Sequence, residues 1–241
     1  MKKIEKRTVN TVSAVLLCLI AVSIAAVCFI NGDIAIKTSG KTYSPYYNGD
    51  RNSNKVAIMI NVYEGSEIVE RMLDVLKGKG AKATFFVGGC WAEDNGELLL
   101  KILENGHEIG SHGYFHKDHA KLSEPRNREE MTATDNLIRR LTGYDVKLFA
   151  PPSGSYSATT LKVAESMGYK TIMWSKDTID WRDKDVNTVI NRATKNVRGG
   201  DMILMHPKKH TLDALPKILD YYEKGGLTAV TVSECIENGA G

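Results

Sequence analysis

Two histidines four residues apart, His112 and His116, have the spacing that most directly suggests metal chemistry. An i,i+4 interval puts two imidazoles on one side of a turn, within reach of one zinc ion. Catalytic zinc takes about three protein ligands and keeps a water position open, so the pair is part of a site rather than a whole one. HEIGSH, from His107 to His112, is one residue too long for the HExxH of zinc proteases. Five residues along a helix two side chains diverge by about 140°, so His107 reads as a core or strand histidine. His119 and His210 are the next metal candidates.

Other unusual polar residues share one kind of position. Asn61 follows the apolar run 56–60, and Pro151, Pro152, Ser153 and Gly154 follow 146–149. Asp177 and Asp180 follow 170–174, and His206 follows 202–205. Alone, Asp177 or Asp180 is an ordinary loop or cap residue and His206 an ordinary packed histidine. Jointly they lie just past the C-terminal ends of strands, where β/α architectures build their sites.

Positioning them is the work of a β/α alternation that begins at Lys55. Apolar or β-rich runs at 56–60, 83–87, 146–149, 170–174 and 202–205 alternate with amphipathic stretches of helical length. Ser66 is placed to cap SEIVERMLDVLKGKG, whose Ile68, Val69, Met72, Leu73 and Leu76 share a face. Ser157 and Gly168 bracket another helix. Such alternation suits a doubly wound sheet or a small incomplete β/α barrel.

The chain has 241 residues, 42% of them hydrophobic, which is enough for one large core. Its formal charge of +3 comes from the N-terminus. Lys2, Lys3, Lys6, Arg7 and Glu5 fall within residues 1–11, leaving 28 basic against 28 acidic residues beyond them. With no basic face, nucleic acid is not an expected partner. Residues 12–30 are uncharged and close to the ~20 a helix needs to cross a bilayer. The stretch either spans the membrane or is removed as a signal, and its length favours an uncleaved anchor. The expected organisation is a cytoplasmic basic tail (1–11), a transmembrane anchor (12–30), a spacer (31–54) and one outer domain (55–241), on a single-pass protein of the cell membrane. Four cysteines are too few for a disulfide scaffold, although a Cys90–Cys235 bridge stays open.

Four segments resemble successive motifs of the polysaccharide deacetylases, the NodB-homology or carbohydrate esterase family 4 domain. They are NGHEIGSHGYFH (105–116), APPSG (150–154), DTIDW (177–181) and ILMH (203–206). The resemblance covers about residues 52–240. It implies a distorted, incomplete NodB-like (β/α) barrel of about seven strands and a metal-dependent hydrolase that removes acetyl groups from N-acetylated polysaccharide, peptidoglycan or chitin-like. It also implies that His112 and His116 hold zinc or another divalent ion, that Pro151, Pro152, Ser153 and Gly154 form a groove wall, and that His206 is a general acid tuned by Asp180 or Asp177. The first family motif, roughly TFDDG, carries the base and a metal-ligating aspartate, whereas the matching stretch here is MINVYEG (59–65). Asn61 then stands at the base position and Val62 at the ligand position, and Ala150 replaces the arginine that opens the third motif. The pattern is similar to a degenerate, sporulation-associated subgroup. Glu64 is either a substitute carboxylate or an exposed loop residue. Two functions follow: an anchored sugar N-deacetylase using Glu64, or a non-catalytic glycan-binding or wall-assembly protein. Tyr63, Tyr114, Tyr156 and Trp181 offer sugar-stacking faces in either case.

The basic residues ahead of the apolar stretch predict a cytoplasmic N-terminus and an outer C-terminal domain. Protease added to intact spheroplasts should digest that domain; protection of the domain with loss of the N-terminus would reverse the orientation.

Overall fold

The structure, a computed structural model, describes residues 43–237. The basic tail and the apolar stretch 12–30 lie outside the described residues, among which no helix is long and apolar enough to cross a membrane. Eight strands form one parallel sheet: β1 (Lys55–Val62), β2 (Thr84–Val87), β3 (Glu108–Ser111), β4 (Leu148–Phe149), β5 (Lys170–Thr171), β6 (Lys176–Asp177), β7 (Met202–Met205) and β8 (Thr228–Val230). The order is β5-β4-β3-β2-β1-β7-β6, with β8 pairing to the start of β1. This is an α/β half-barrel of seven parallel strands, as the resemblance implies, and β8 is a short addition to it.

Strand alternation divides the core in two. Along β1, Val56, Ile58, Ile60 and Val62 join a large apolar cluster with the helices. Ala57 and Met59 face the barrel interior with Phe86, Leu148, Ala150 and Met202. Among the described residues seven helices flank the sheet, α1 (Ser66–Gly78), α2 (Gly89–Glu93), α3 (Gly96–Glu104), α4 (Glu124–Thr142), α5 (Ala158–Ser166), α6 (Val186–Thr194) and α7 (Lys209–Lys224), while α8 (Val232–Ile236) packs on the interior cluster. Helix α1 buries Val69, Met72, Leu73 and Leu76 on the expected face, each worth about 1.5–3 kcal/mol of transfer free energy. Ser66 is not its cap. It is the first helical residue, Gly65 precedes it in the left-handed region, and the Ser66 hydroxyl accepts from Trp91 Nε1 at 3.0 Å. Ser157 does cap α5, in a reciprocal capping box with Thr160.

The sequence pattern missed β3, β6 and β8, which are only two to four residues long. Asn61 lies within β1 rather than beyond it, and Asp177 lies in β6. Residues read as spacer touch the folded unit: Tyr46 bridges to Ile172, Asn48 to Asp201, and Arg51 Nη1 donates to Asp201 at 2.6 Å. Cys90 and Cys235 are both free thiols, so no bridge links them.

Gly199 lies against the same N-terminal segment, where a Cβ would stand 1.6 Å from the Ser53 carbonyl oxygen. Gly199→Ala should therefore cost about 1–3 kcal/mol of stability, read as a lower urea midpoint. Gly78→Ala, in open space at the end of α1, should instead gain about 0.5–1 kcal/mol.

Candidate active site

The register sets the rim. Ile60 pairs with Met205, which brings Asn61 and His206 abreast. Val62 pairs with Val87, Val87 with Ser111, and Ser111 with Phe149, so His112 and Ala150 emerge in the next row. Asn61, His112, Ala150 and His206 all share the parity of the interior face. A cavity of about 380 Å³ opens there, lined by Asn61, Tyr63, Glu64, His112, Phe115, His116, His206, Pro207 and Lys208.

His112 and His116 meet, with ring centroids 5.1 Å apart, edge to face. They do so from a loop and not, as the interval alone suggested, from one side of a helical turn. Gly113 at φ +73° and His116 at φ +53° fold the chain back after β3. A side chain at Gly113 would be strained and would sit 3.0 Å from His119 Nε2. His112 is 2% exposed and donates from Nδ1 to the Ala150 carbonyl at 2.8 Å, leaving Nε2 for the cavity. Burial, helped by the neighbouring His116, pushes its pKa down to about 3, so the ring is neutral. His116 is lowered for the same first reason.

Glu130, on α4, is a residue the sequence reading did not find. It is 7% exposed, and its Oε2 accepts the backbone N–H groups of both Tyr114 and Phe115 at 2.8 Å, holding the loop between the two histidines. His119 is buried behind this loop, with Nδ1 donating to Asn127 Oδ1. His210 donates from Nε2 to the Asp180 backbone carbonyl oxygen at 2.8 Å. Neither lines the cavity.

His206 forms the opposite wall. Its Nδ1 lies 2.7 Å from Asp180 Oδ1, and its backbone N–H donates to Asp180 Oδ2 at 2.7 Å. Thr211 Oγ1 also donates to Oδ2, at 2.6 Å. Asp180 is 1% exposed. Burial alone would raise its carboxyl, but the bonds and charge of His206 and the Thr211 hydroxyl hold it below the ordinary carboxylate value. Of the two aspartates left open, Asp180 is thus the partner of His206. Asp177 accepts the Ile179 N–H in a tight turn.

The end of β1 shifts the motif reading. Val62 is fully buried in the helix-facing cluster, on the side opposite Asn61, and does not reach the cavity. The next two residues do. Tyr63 and Glu64 line it, immediately before Gly65, which precedes helix α1 at φ +82°. Asn61 forms the floor at 6% exposure, and its Oδ1 is buried without a hydrogen-bond partner. The Glu64 side chain is 71% exposed and ion-paired with Lys208, which lowers its pKa.

Among the described residues no three His, Cys, Asp or Glu side chains converge as a metal would require. Three imidazoles line the cavity, but His206 is held by Asp180 on the opposite wall, and the nearby carboxylate of Glu64 is turned to a lysine. As arranged, this donor set does not fit a tightly held catalytic ion.

Pro151, Pro152, Ser153 and Gly154 follow β4 as a short 3-10 turn, with Ser153 at φ +55° and Gly154 against Trp174. Tyr156 Oη lies 2.8 Å from Tyr47 Oη, and Trp181 is 57% exposed beneath the Arg182 guanidinium. None of these lines the cavity, whereas the exposed Phe115, overlooked in the sequence, does.

The family model for polysaccharide deacetylases matches residues 48–172. The chain belongs to the polysaccharide deacetylase family. Within it, the protein is 33% identical over 195 residues to a peptidoglycan-N-acetylglucosamine deacetylase of Bacillus cereus, covering 79% of this chain and 71% of that one. It is 37% identical over 193 residues to the uncharacterized protein YlxY of Bacillus subtilis; the match takes in 80% of this chain but only 60% of YlxY. A family 4 carbohydrate esterase pseudoenzyme of Bacillus anthracis matches in structure with TM-score 0.78 and 33% identity, over 80% of this chain and 69% of that one. A mutant of that pseudoenzyme with restored enzymatic activity matches with TM-score 0.78 and 31% identity, over 80% and 71%.

Because the Asp180 carboxyl is held below its unfolded value, this deacetylase-family fold draws stability from its charge above about pH 4, and that share is lost as pH falls through the native value. Asp180→Asn should be less stable than the parent at neutral pH, and the gap in urea midpoint should close as pH falls below about 4. A gap independent of pH would assign the loss to shape rather than charge.

Proposed function

We propose that this chain is a hydrolytically disabled polysaccharide deacetylase that binds N-acetylated cell-wall glycan in the retained cavity, held at the outer face of the cell membrane by residues 12–30. The observation that carries the reading is the end of β1, where the cavity is built from Asn61 and Tyr63, neither of which takes a proton at neutral pH. Burial, then a hydrogen bond with Cys90, pushes the Tyr63 phenol up to about 12, so it stays neutral.

Cleaving an acetamide requires a proton taken from water and a proton given to the leaving amine. His206, oriented by Asp180, keeps the second role. The first has no holder. Asn61 stands where the resemblance implies the base, Tyr63 beside it is a neutral phenol, and the Glu64 carboxylate is committed to Lys208. His112 and His116 remain as two donors for zinc or another divalent ion. The similarity to a pseudoenzyme, and to its reactivated mutant, supports a disabled site; the peptidoglycan deacetylase relatives support a wall polymer. Pro151 to Gly154, Tyr156 and Trp181 are then outlying contacts for a longer glycan.

Amine release from N-acetylglucosamine oligomers, with zinc supplied, should not exceed a protein-free control. Asn61→Asp, which places a carboxylate at the base position in the cavity, should raise it by about 10²–10⁴, the usual worth of a general base. Robust turnover by the unsubstituted chain would sink this reading. If Glu64→Gln then abolished that turnover, the chain would be an enzyme with Glu64 as its base.

A further inference from the structure

Two turns meet at the mouth of the cavity. The pairing of Ile60 with Met205 sets the turn after β1 beside the turn after β7. Gly65 lets the two touch, since a Cβ there would stand 2.9 Å from the Pro207 carbonyl oxygen. Glu64 and Lys208 are the chain neighbours of these two contact residues, and they form an ion pair across the junction. The Lys208 ammonium is the main reason that the Glu64 carboxyl lies below the ordinary carboxylate value. Exposed ion pairs are usually weak because two long side chains must be ordered to make them, but here the backbones that carry them are already packed together.

Among the described residues lining the cavity, Glu64 is the one carboxylate and Lys208 the one ammonium. His112 and His116 share a wall, with ring centroids 5.1 Å apart. The ring of Tyr63, the residue before Glu64, packs 5.2 Å from that of His116, so the Glu64 backbone runs beside the imidazole pair. Two imidazoles and one glutamate are a sufficient protein set for zinc. The third donor is thus present in the cavity wall but engaged by an ammonium, and that ammonium would also repel any ion seated there.

We propose that Lys208 is a resident cation that keeps divalent metal out of this cavity, by holding the Glu64 carboxylate away from His112 and His116. The donor set fails to fit an ion because its third member is occupied, not because it is missing. The inference rests on the disabled-site reading above and explains its metal-poor half, and it asks nothing of glycan binding. It assigns the exclusion to a single side chain, whose loss uncovers a set of two histidines and one carboxylate.

Calorimetric titration of the full-length protein with zinc chloride at pH 7 tests this without an activity readout. The unsubstituted chain should bind weakly. Lys208→Gln should bind about 10–100-fold tighter, the range over which partners of metal ligands usually move affinity. Lys208→Arg, which keeps the charge and its carboxylate partner, should stay weak. Adding Glu64→Gln to Lys208→Gln should abolish the gain by removing the third donor. Lys208→Met removes the same charge and replaces the glutamine variant if that one folds poorly. Unchanged zinc affinity in the charge-removing variants, or a gain that survives Glu64→Gln, would overturn the inference and leave the disabled-site reading, which is judged by amine release, standing. Tight zinc binding by the unsubstituted chain would overturn it as well, whereas amine release by that chain would count against the disabled-site reading instead.

Discussion

Side chains alternate across a strand, and a parallel sheet in register carries that alternation from each strand to the next. Most of the site depends on this geometry. Val56, Ile58, Ile60 and Val62 are committed to the helices, so Asn61 is committed to the interior. The pairings of β1 with β7 and of β2, β3 and β4 with one another bring His206, His112 and Ala150 to the same rim from positions up to 145 residues from Asn61. A slip of one residue in any of these ladders would turn its rim residue into the core. The constellation at the rim is therefore positioned by the same register that packs the core.

What remains at that rim is unequal. The acid side is fully built, with a buried carboxylate accepting three hydrogen bonds and an imidazole held in one orientation. The loop bearing His112 and His116 is equally well supported, since Glu130 spans its backbone. Only the turn after β1 has changed character, where a phenol and an ion-paired glutamate face the cavity. Both walls of the cavity thus owe their orientation to buried carboxylates, Asp180 behind His206 and Glu130 beneath the histidine loop.

The fold was legible where the sequence carried long periodic signals. Strands β1, β2 and β7 and helix α1 announced themselves by apolar runs and a single buried face. Short strands such as β6 and β8 leave no period to read, and their place comes from pairing with neighbours. His112, His116, His206 and Asp180 were legible through motif types and their common position past strands. Glu130 was not, because a buried glutamate on a polar-looking helix is indistinguishable in sequence from a solvated one. That Val62, at the ligand position the resemblance implies, turns away from the cavity was not legible either, because strand parity and not motif matching sends Asn61 and Val62 to opposite faces.

An open half-barrel leaves terminal strands with unpaired backbone groups, a standing invitation for strands of other molecules to add on. At β5 that invitation is withdrawn by the segment ahead of the repeating β/α units. Tyr46 donates its N–H to the Thr171 carbonyl and accepts from the Met173 N–H, both within 2.9 Å, and its ring packs on the interior cluster. A stretch that in composition resembles a linker thus serves as a protective hem on the sheet. Its removal would leave the active-site rim untouched while exposing a self-association edge, so solubility and site integrity are governed by separate parts of the chain.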